Sequence, residues 1–80
     1  MKYYVNVSRV IEIDVEDKQF EEMVNKQESG EEITETEFKA VFDKLEKLTG
    51  IPVYDYENTD DKKDSIWAVY TENNDVLIEM

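Results

Sequence analysis

The residues from Thr34 to Leu48 constrain this chain more than any others, because they specify a helix together with both of its ends. The Thr34 hydroxyl is placed to accept from a free N–H of the first turn. Glu37, three residues on, can reach back to the Thr34 N–H as a capping box, and Ile33 and Phe38 take the positions of a hydrophobic staple. Phe38, Val41, Phe42, Leu45 and Leu48 recur at spacings of three and four and line one face. Gly50 follows, suited to the left-handed residue that ends a helix, and Pro52 blocks any continuation. Glu35 with Lys39, and Asp43 with Lys47, form i,i+4 pairs in the favourable order, each contributing about 0.2–0.5 kcal/mol. The apolar stripe reads as core, so this helix needs a surface to cover.

The N-terminal segment supplies one. From Lys2 to Val15 the sequence alternates: Tyr3, Val5, Val7, Ile11, Ile13 and Val15 share one parity, broken by Arg9, while Tyr4, Asn6, Ser8, Val10, Glu12 and Asp14 share the other. This pattern predicts one long half-buried strand with a bulge near Ser8–Arg9. Asp17 can cap a shorter helix to about Gln27, with Phe20, Met23, Val24 and Gln27 on its inner face. Residues 28–32 form a polar turn into the main helix. After Gly50, Val53–Tyr56 reads as a short strand, 57–64 as a charged loop and Ser65–Thr71 as a strong strand. Asn73–Asn74 marks a tight hairpin turn before a last strand at Val76–Met80.

The predicted architecture is therefore one α+β domain over residues 1–80, in the order β-α-α-β-β-β. It has a mostly antiparallel sheet of about four strands, with two helices packed on one face. Val, Ile, Leu and Phe make up 21 of the 80 residues, just above the roughly 20% below which a charged chain tends to remain disordered. A core forms, but it is thin: a chain of this size buries only about 60–65% of its unfolded surface. Ile66 to Tyr70 is apolar on both parities, and a strand of that kind expects cover on both faces. Two short helices cover only one. The other face is expected to expose Tyr4, Val10 and Trp67, with Tyr54 or Tyr56 nearby, as a patch suited to protein binding or self-association.

Chemistry is scarce. The chain holds no histidine and no cysteine, which removes the commonest general base, the commonest metal ligand and thiolate nucleophiles. Gly30 and Gly50 stand alone and build no phosphate loop. Asn58, Asp60 and Asp64 echo part of a calcium loop, but the central glycine and the closing glutamate are missing and Lys62 and Lys63 intrude. A non-enzymatic protein that needs no cofactor and no metal is expected.

Charge carries more information. The net charge is −12, and residues 12–37 hold 11 acids against Lys18 and Lys26. Asp17, Glu21 and Glu28 fall on one flank of the first helix, and Glu31, Glu32 and Glu35 follow across the turn; together they are the candidate partner-binding ridge. Such a surface repels bare nucleic acid and anionic membranes and attracts a basic protein. Absence of an apolar run of membrane-spanning length and of a leader-like start leads to the expectation of a cytoplasmic protein. In size and charge the chain resembles small acidic inhibitors: phage nucleic-acid mimics, anti-CRISPR and anti-restriction proteins, and nuclease immunity proteins. The resemblance implies an inhibitor or decoy that docks on a basic nucleic-acid-handling protein, and no motif transfers a role to any residue. The alternative expectation is a small assembly domain that forms homodimers through the sheet face around Trp67.

Self-repulsion on this scale predicts a stability that rises with salt. Raising NaCl from about 10 mM to about 0.5 M shortens the Debye length from about 30 Å to under about 8 Å. The thermal midpoint is expected to rise by roughly several degrees, read by far-UV circular dichroism. An unchanged midpoint would show that the charge does not limit stability.

Overall fold

A computed structural model describes residues 1–54 and 64–79. Its elements are β1 (Lys2–Asn6), β2 (Val10–Asp14), α1 (Lys18–Ser29), α2 (Glu35–Thr49), β3 (Ala68–Thr71) and β4 (Val76–Glu79). The strands form one four-stranded sheet in the order β2-β1-β3-β4, and every neighbouring pair is antiparallel. The α+β class, the four-stranded antiparallel sheet and the two helices agree with the sequence reading. The element order does not: it is β-β-α-α-β-β.

The difference has two sources. The stretch expected as one long strand is a hairpin. The chain reverses at Val7–Arg9, where the Val7 amide donates to the Arg9 carbonyl at 2.9 Å. Tyr3 then faces Ile13, and Val5 faces Ile11. Both arms keep their apolar parity on one face because the reversal preserves it, so a straight strand and a hairpin carry the same pattern. Arg9, the break in that pattern, is the exposed end of the turn. The second source is the expected strand at Val53–Tyr56. Val53 makes only an isolated parallel bridge to Ile66. Tyr56 and the calcium-like stretch at 58–63 lie outside the described residues.

The helices follow their end signals closely. Asp17 caps α1, accepting from the amides of Gln19 at 2.8 Å and Phe20 at 3.4 Å. Gly30 ends the helix in the left-handed region at φ 78°, a conformation that costs a Cβ-bearing residue more than glycine. Thr34 caps α2 through the Glu37 amide at 3.3 Å. The capping box is altered: the Glu37 carboxylate accepts from the Thr34 hydroxyl at 3.0 Å and from Lys26 at 2.7 Å. Gly50 closes α2 at φ 71°, its N–H donating to the Glu46 carbonyl.

One core lies between the helices and one face of the sheet. Tyr3, Val5, Phe20, Met23, Val41, Leu45, Ile66 and Val69 are fully buried in it. The Tyr3 and Phe20 rings meet at 5.2 Å. Gln27, expected on the inner face of α1, is exposed, and Leu48 at the end of the α2 stripe is 55% exposed. The expected strict alternation over Ile66–Tyr70 also fails, because Ile66 and Val69 both enter the core. The Trp67 amide donates to the Asn6 carbonyl at 3.0 Å, although the register partner of Asn6 is Ala68. Two consecutive residues thus face one, as in a β-bulge. A second slip between β3 and β4 leaves Leu77 without an opposite residue, and Leu77 and Ile78 are both buried.

The Tyr3 hydroxyl is buried and finds no hydrogen-bond partner among the described residues. Burial, reinforced by Glu21, Asp17, Glu72 and Glu16, pushes its pKa from 10.0 up to about 12. Removing an unsatisfied buried hydroxyl while keeping the ring is neutral or favourable. Tyr3→Phe is therefore expected to hold or raise stability by up to about 1 kcal/mol at pH 7 in urea unfolding. The sign at high pH follows from the raised value: a phenol that resists ionisation in the fold loses its contribution as pH climbs from 10 towards about 12. The wild type should lose stability over that window and Tyr3→Phe should lose less.

Candidate functional site

The two helices run antiparallel and are tied at each end by a lysine–carboxylate pair. At one end Lys44 of α2 bonds to Asp17, the cap of α1. At the other, Lys26 of α1 bonds to Glu37 of α2 at 2.7 Å. The Lys44 ammonium holds the Asp17 carboxyl below the usual carboxylate range, with help from the Gln19 and Phe20 amides against partial burial. The Lys26 hydrogen bond lowers Glu37 in the same way, and Glu37 raises Lys26. Both pairs are partly shielded from water, a setting in which charge-assisted bonds hold geometry better than exposed ones do.

These ties dissect the candidate acidic ridge. Asp17 serves as helix cap and as the partner of Lys44, so its charge is committed. Glu35 pairs with Lys39 at 3.5 Å on the exposed face of α2. Glu21, Glu28, Glu31 and Glu32 are exposed and enter no salt bridge among the described residues. They do not form one continuous face. Glu28 lines a concavity of about 350 Å³ with Val24, Gln27, Thr71, Asp75 and Val76. Glu31 lines another with Glu22, Asn25, Lys26 and Ser29. Residues 26 and 28 stand about 160° apart on a helical wheel, so these hollows flank α1 on opposite sides.

The first flank gains acids that the sequence did not single out. Asp75 meets Glu28 across the concavity, and Glu21 and Glu72 both act on the Tyr3 hydroxyl through space. Glu72 and Asp75 belong to the β3–β4 turn, where Asn74 adopts φ 66° as the Asn-Asn signal implied. The buried Thr71 hydroxyl accepts from the amides of Asn73 and Asp75 at 3.3 Å each and fixes this turn. Glu28 and Asp75 therefore meet where the C-terminal hairpin joins α1, with Glu21 one heptad before Glu28 on the same flank of α1 and Glu72 in the same turn as Asp75. They lie some fifty residues apart in the chain, and only tertiary contact joins them.

The sheet face opposite the helices carries the second candidate surface. Tyr4 stands opposite Tyr70 on one side and Glu12 on the other, and Tyr70 faces Val76. Tyr4, Tyr70 and Val76 are half-buried, and Val10 is 60% exposed. Trp67 is half-buried at the bulge, its indole N–H donating to the Val7 carbonyl at 2.6 Å. Lys2, Glu12, Asp14 and Glu79 rim the face with charge. Tyr70, opposite Tyr4, and Val76, opposite Tyr70, belong to this face and were not singled out by the sequence pattern.

Among the described residues no group of three or more acids is placed to hold a metal ion, and no helix is long and apolar enough to cross a membrane. A comparison with protein-family models, curated proteins and solved structures finds no match to the chain.

The depressed carboxyl of Asp17 contributes stability that is present above the ordinary aspartate value and is lost as pH falls through the lowered one. Lys44→Met is expected to move the Asp17 titration upwards, read by carboxyl ¹³C shifts, and to reduce the acid-dependent part of stability. Asp17→Ala also removes the cap and is expected to cost about 0.5–2 kcal/mol in urea unfolding.

Proposed function

We propose that this protein is a non-enzymatic binding module, an acidic inhibitor or decoy that docks on the basic surface of a nucleic-acid-handling protein. Its character is that of a nucleic-acid mimic of the anti-restriction or anti-CRISPR kind carried by phage and mobile elements, acting in the cytoplasm. One observation carries this reading: Glu28 and Asp75 line one concavity at the α1–hairpin junction, and neither they nor the neighbouring Glu21 and Glu72 enter a salt bridge among the described residues. Two lysines of the helix pair are drawn elsewhere, Lys44 to Asp17 and Lys26 to Glu37. A surface of one sign on a rigid helix–turn junction speeds encounter with a surface of the opposite sign and suppresses like-charged partners.

The second reading is self-association through the outer sheet face. It is favoured by the Tyr4–Tyr70 pair flanked by Val76 and Val10, an apolar centre with a charged rim.

The discriminating experiment immobilises the protein, passes host lysate over it and elutes with rising salt, beside an unrelated acidic protein of equal charge. A nucleic-acid-handling protein that elutes late from this bait and early from the control supports the decoy reading. Glu21→Lys, Glu28→Lys and Asp75→Lys combined are expected to slow association with that partner by about tenfold or more at low salt. Glu22→Lys with Glu31→Lys, on the other flank, should have a smaller effect. Equal behaviour of the two baits rejects the decoy, and a dimer in sedimentation that Tyr70→Lys dissociates establishes self-association instead.

A further inference from the structure

We propose that the free edge of β2 accepts an extended, lysine- or arginine-bearing segment of another protein as a fifth strand of the sheet. This surface is separate from the acidic junction of α1 and stands or falls independently of it.

The argument begins with the hydrogen-bond phase of the first hairpin. In an antiparallel pair, residues that exchange bonds alternate with residues whose N–H and C=O point away. The Val15 amide donates to the Met1 carbonyl at 3.0 Å and the Val7 amide to the Arg9 carbonyl at 2.9 Å. Both contacts lie in the register that pairs Tyr3 with Ile13 and Val5 with Ile11. The odd residues of β2 therefore bond to β1, and Val10, Glu12 and Asp14 turn their backbone groups outwards. β2 is an edge strand, and among the described residues no backbone hydrogen bond from these groups is present. Val10, Glu12 and Asp14 thus present a regular row of donors and acceptors to an incoming strand.

The opposite edge is handled differently. In β4, Val76 faces Tyr70 and the Thr71 amide bonds to Asp75, so the Val76 carbonyl points off the sheet. The Gln27 side chain of α1 donates to it. An edge residue covered by a helix side chain is a common guard against strand addition. Among the described residues β2 has no such guard, and it contains neither proline nor an inward-pointing charge.

Side chains decide the occupant. Val10, Glu12 and Asp14 project from the outer face and are exposed, while Ile11 and Ile13 project towards the helices and remain half-buried. A partner strand needs a cationic residue beside Glu12, a second one near Asp14, which the N-terminal ammonium meets at 3.4 Å while leaving it exposed, and aliphatic ones, at alternate positions, beside Ile11 and Ile13. A second copy fits poorly. Two β2 edges paired over their full length about a two-fold axis set Glu12 opposite Glu12 and join two chains of charge −12. Like charges directly opposite across strands are destabilising. Main-chain bonds give such an addition its affinity and the alternating side chains give it selectivity.

The test uses the whole protein and an N-acetylated, C-amidated Lys-Val-Lys-Val-Lys peptide, with Glu-Val-Glu-Val-Glu as control. Amide hydrogen exchange followed by NMR is expected to slow by about tenfold or more at Val10, Glu12 and Asp14 with the lysine peptide and to stay unchanged with the control. Glu12→Lys combined with Asp14→Lys, both exposed positions, is expected to reverse the preference between the peptides. Spectral change confined to Glu21, Glu28 and the β3–β4 turn would overturn the proposal while leaving the acidic junction in place. Equal response to both peptides would also overturn it. So would protection of the β2 amides that grows with protein concentration in the absence of peptide, which would make a second copy the occupant.

Discussion

The contact of Tyr3 with Phe20 joins the central strand to the first helix, and the rest of the molecule is arranged about it. β1 lies between β2 and β3, so the start of the chain must meet both its immediate successor and its distant C-terminal half. Tyr3 and Val5 are fully buried, and the helices can close only over a face on which these two residues already point inwards. The hairpin of β1 and β2 is local and inexpensive to form. The pairing of β1 with β3 spans more than sixty residues and completes the sheet late, since long loops cost entropy before their contacts repay it.

Thin cores leave geometry to polar ties, and here lysines supply them. Lys44 to Asp17 and Lys26 to Glu37 fix the two helices antiparallel at both ends. The same bonds commit two of the scarce cations to structure. Charge is therefore not spread evenly: it is neutralised along the seam between the helices and left open at Glu28 and Asp75 where α1 meets the last hairpin. The proposed attraction for a basic partner rests on this division, as does the expected dependence of stability on ionic strength.

Much of the local structure was legible because its signals act within a few residues. Asp17, Thr34, Gly30 and Gly50 set the ends of both helices, and Asn73–Asn74 set the last turn. The first hairpin was missed because a reversal at Val7–Arg9 keeps apolar parity unchanged, leaving Arg9 as the only clue. The face of Val69 was not legible because a bulge at Trp67 shifts parity by one, a shift set by pairing with Asn6 and not by composition; Ile66 enters the core as its parity implies. Gln27 was read as an inner residue by spacing, yet it reaches the β4 edge. For the candidate surfaces, periodicity found Asp17, Glu21 and Glu28 but could not find Glu72 and Asp75, whose proximity depends on where the C-terminal hairpin docks.

By itself the sequence determined two helices with their caps, an acidic chain without histidine or cysteine chemistry, and enough alternating apolar residues for one antiparallel sheet. These follow from short-range sterics, hydrogen bonding and residue inventory, which need no knowledge of the fold. The tertiary structure alone decided the strand order β2-β1-β3-β4, which carboxylates lysines hold, and which sheet edge is capped and which is open. Each of those depends on residues brought together from distant parts of the chain, and a one-dimensional pattern carries no record of which distant partners will meet.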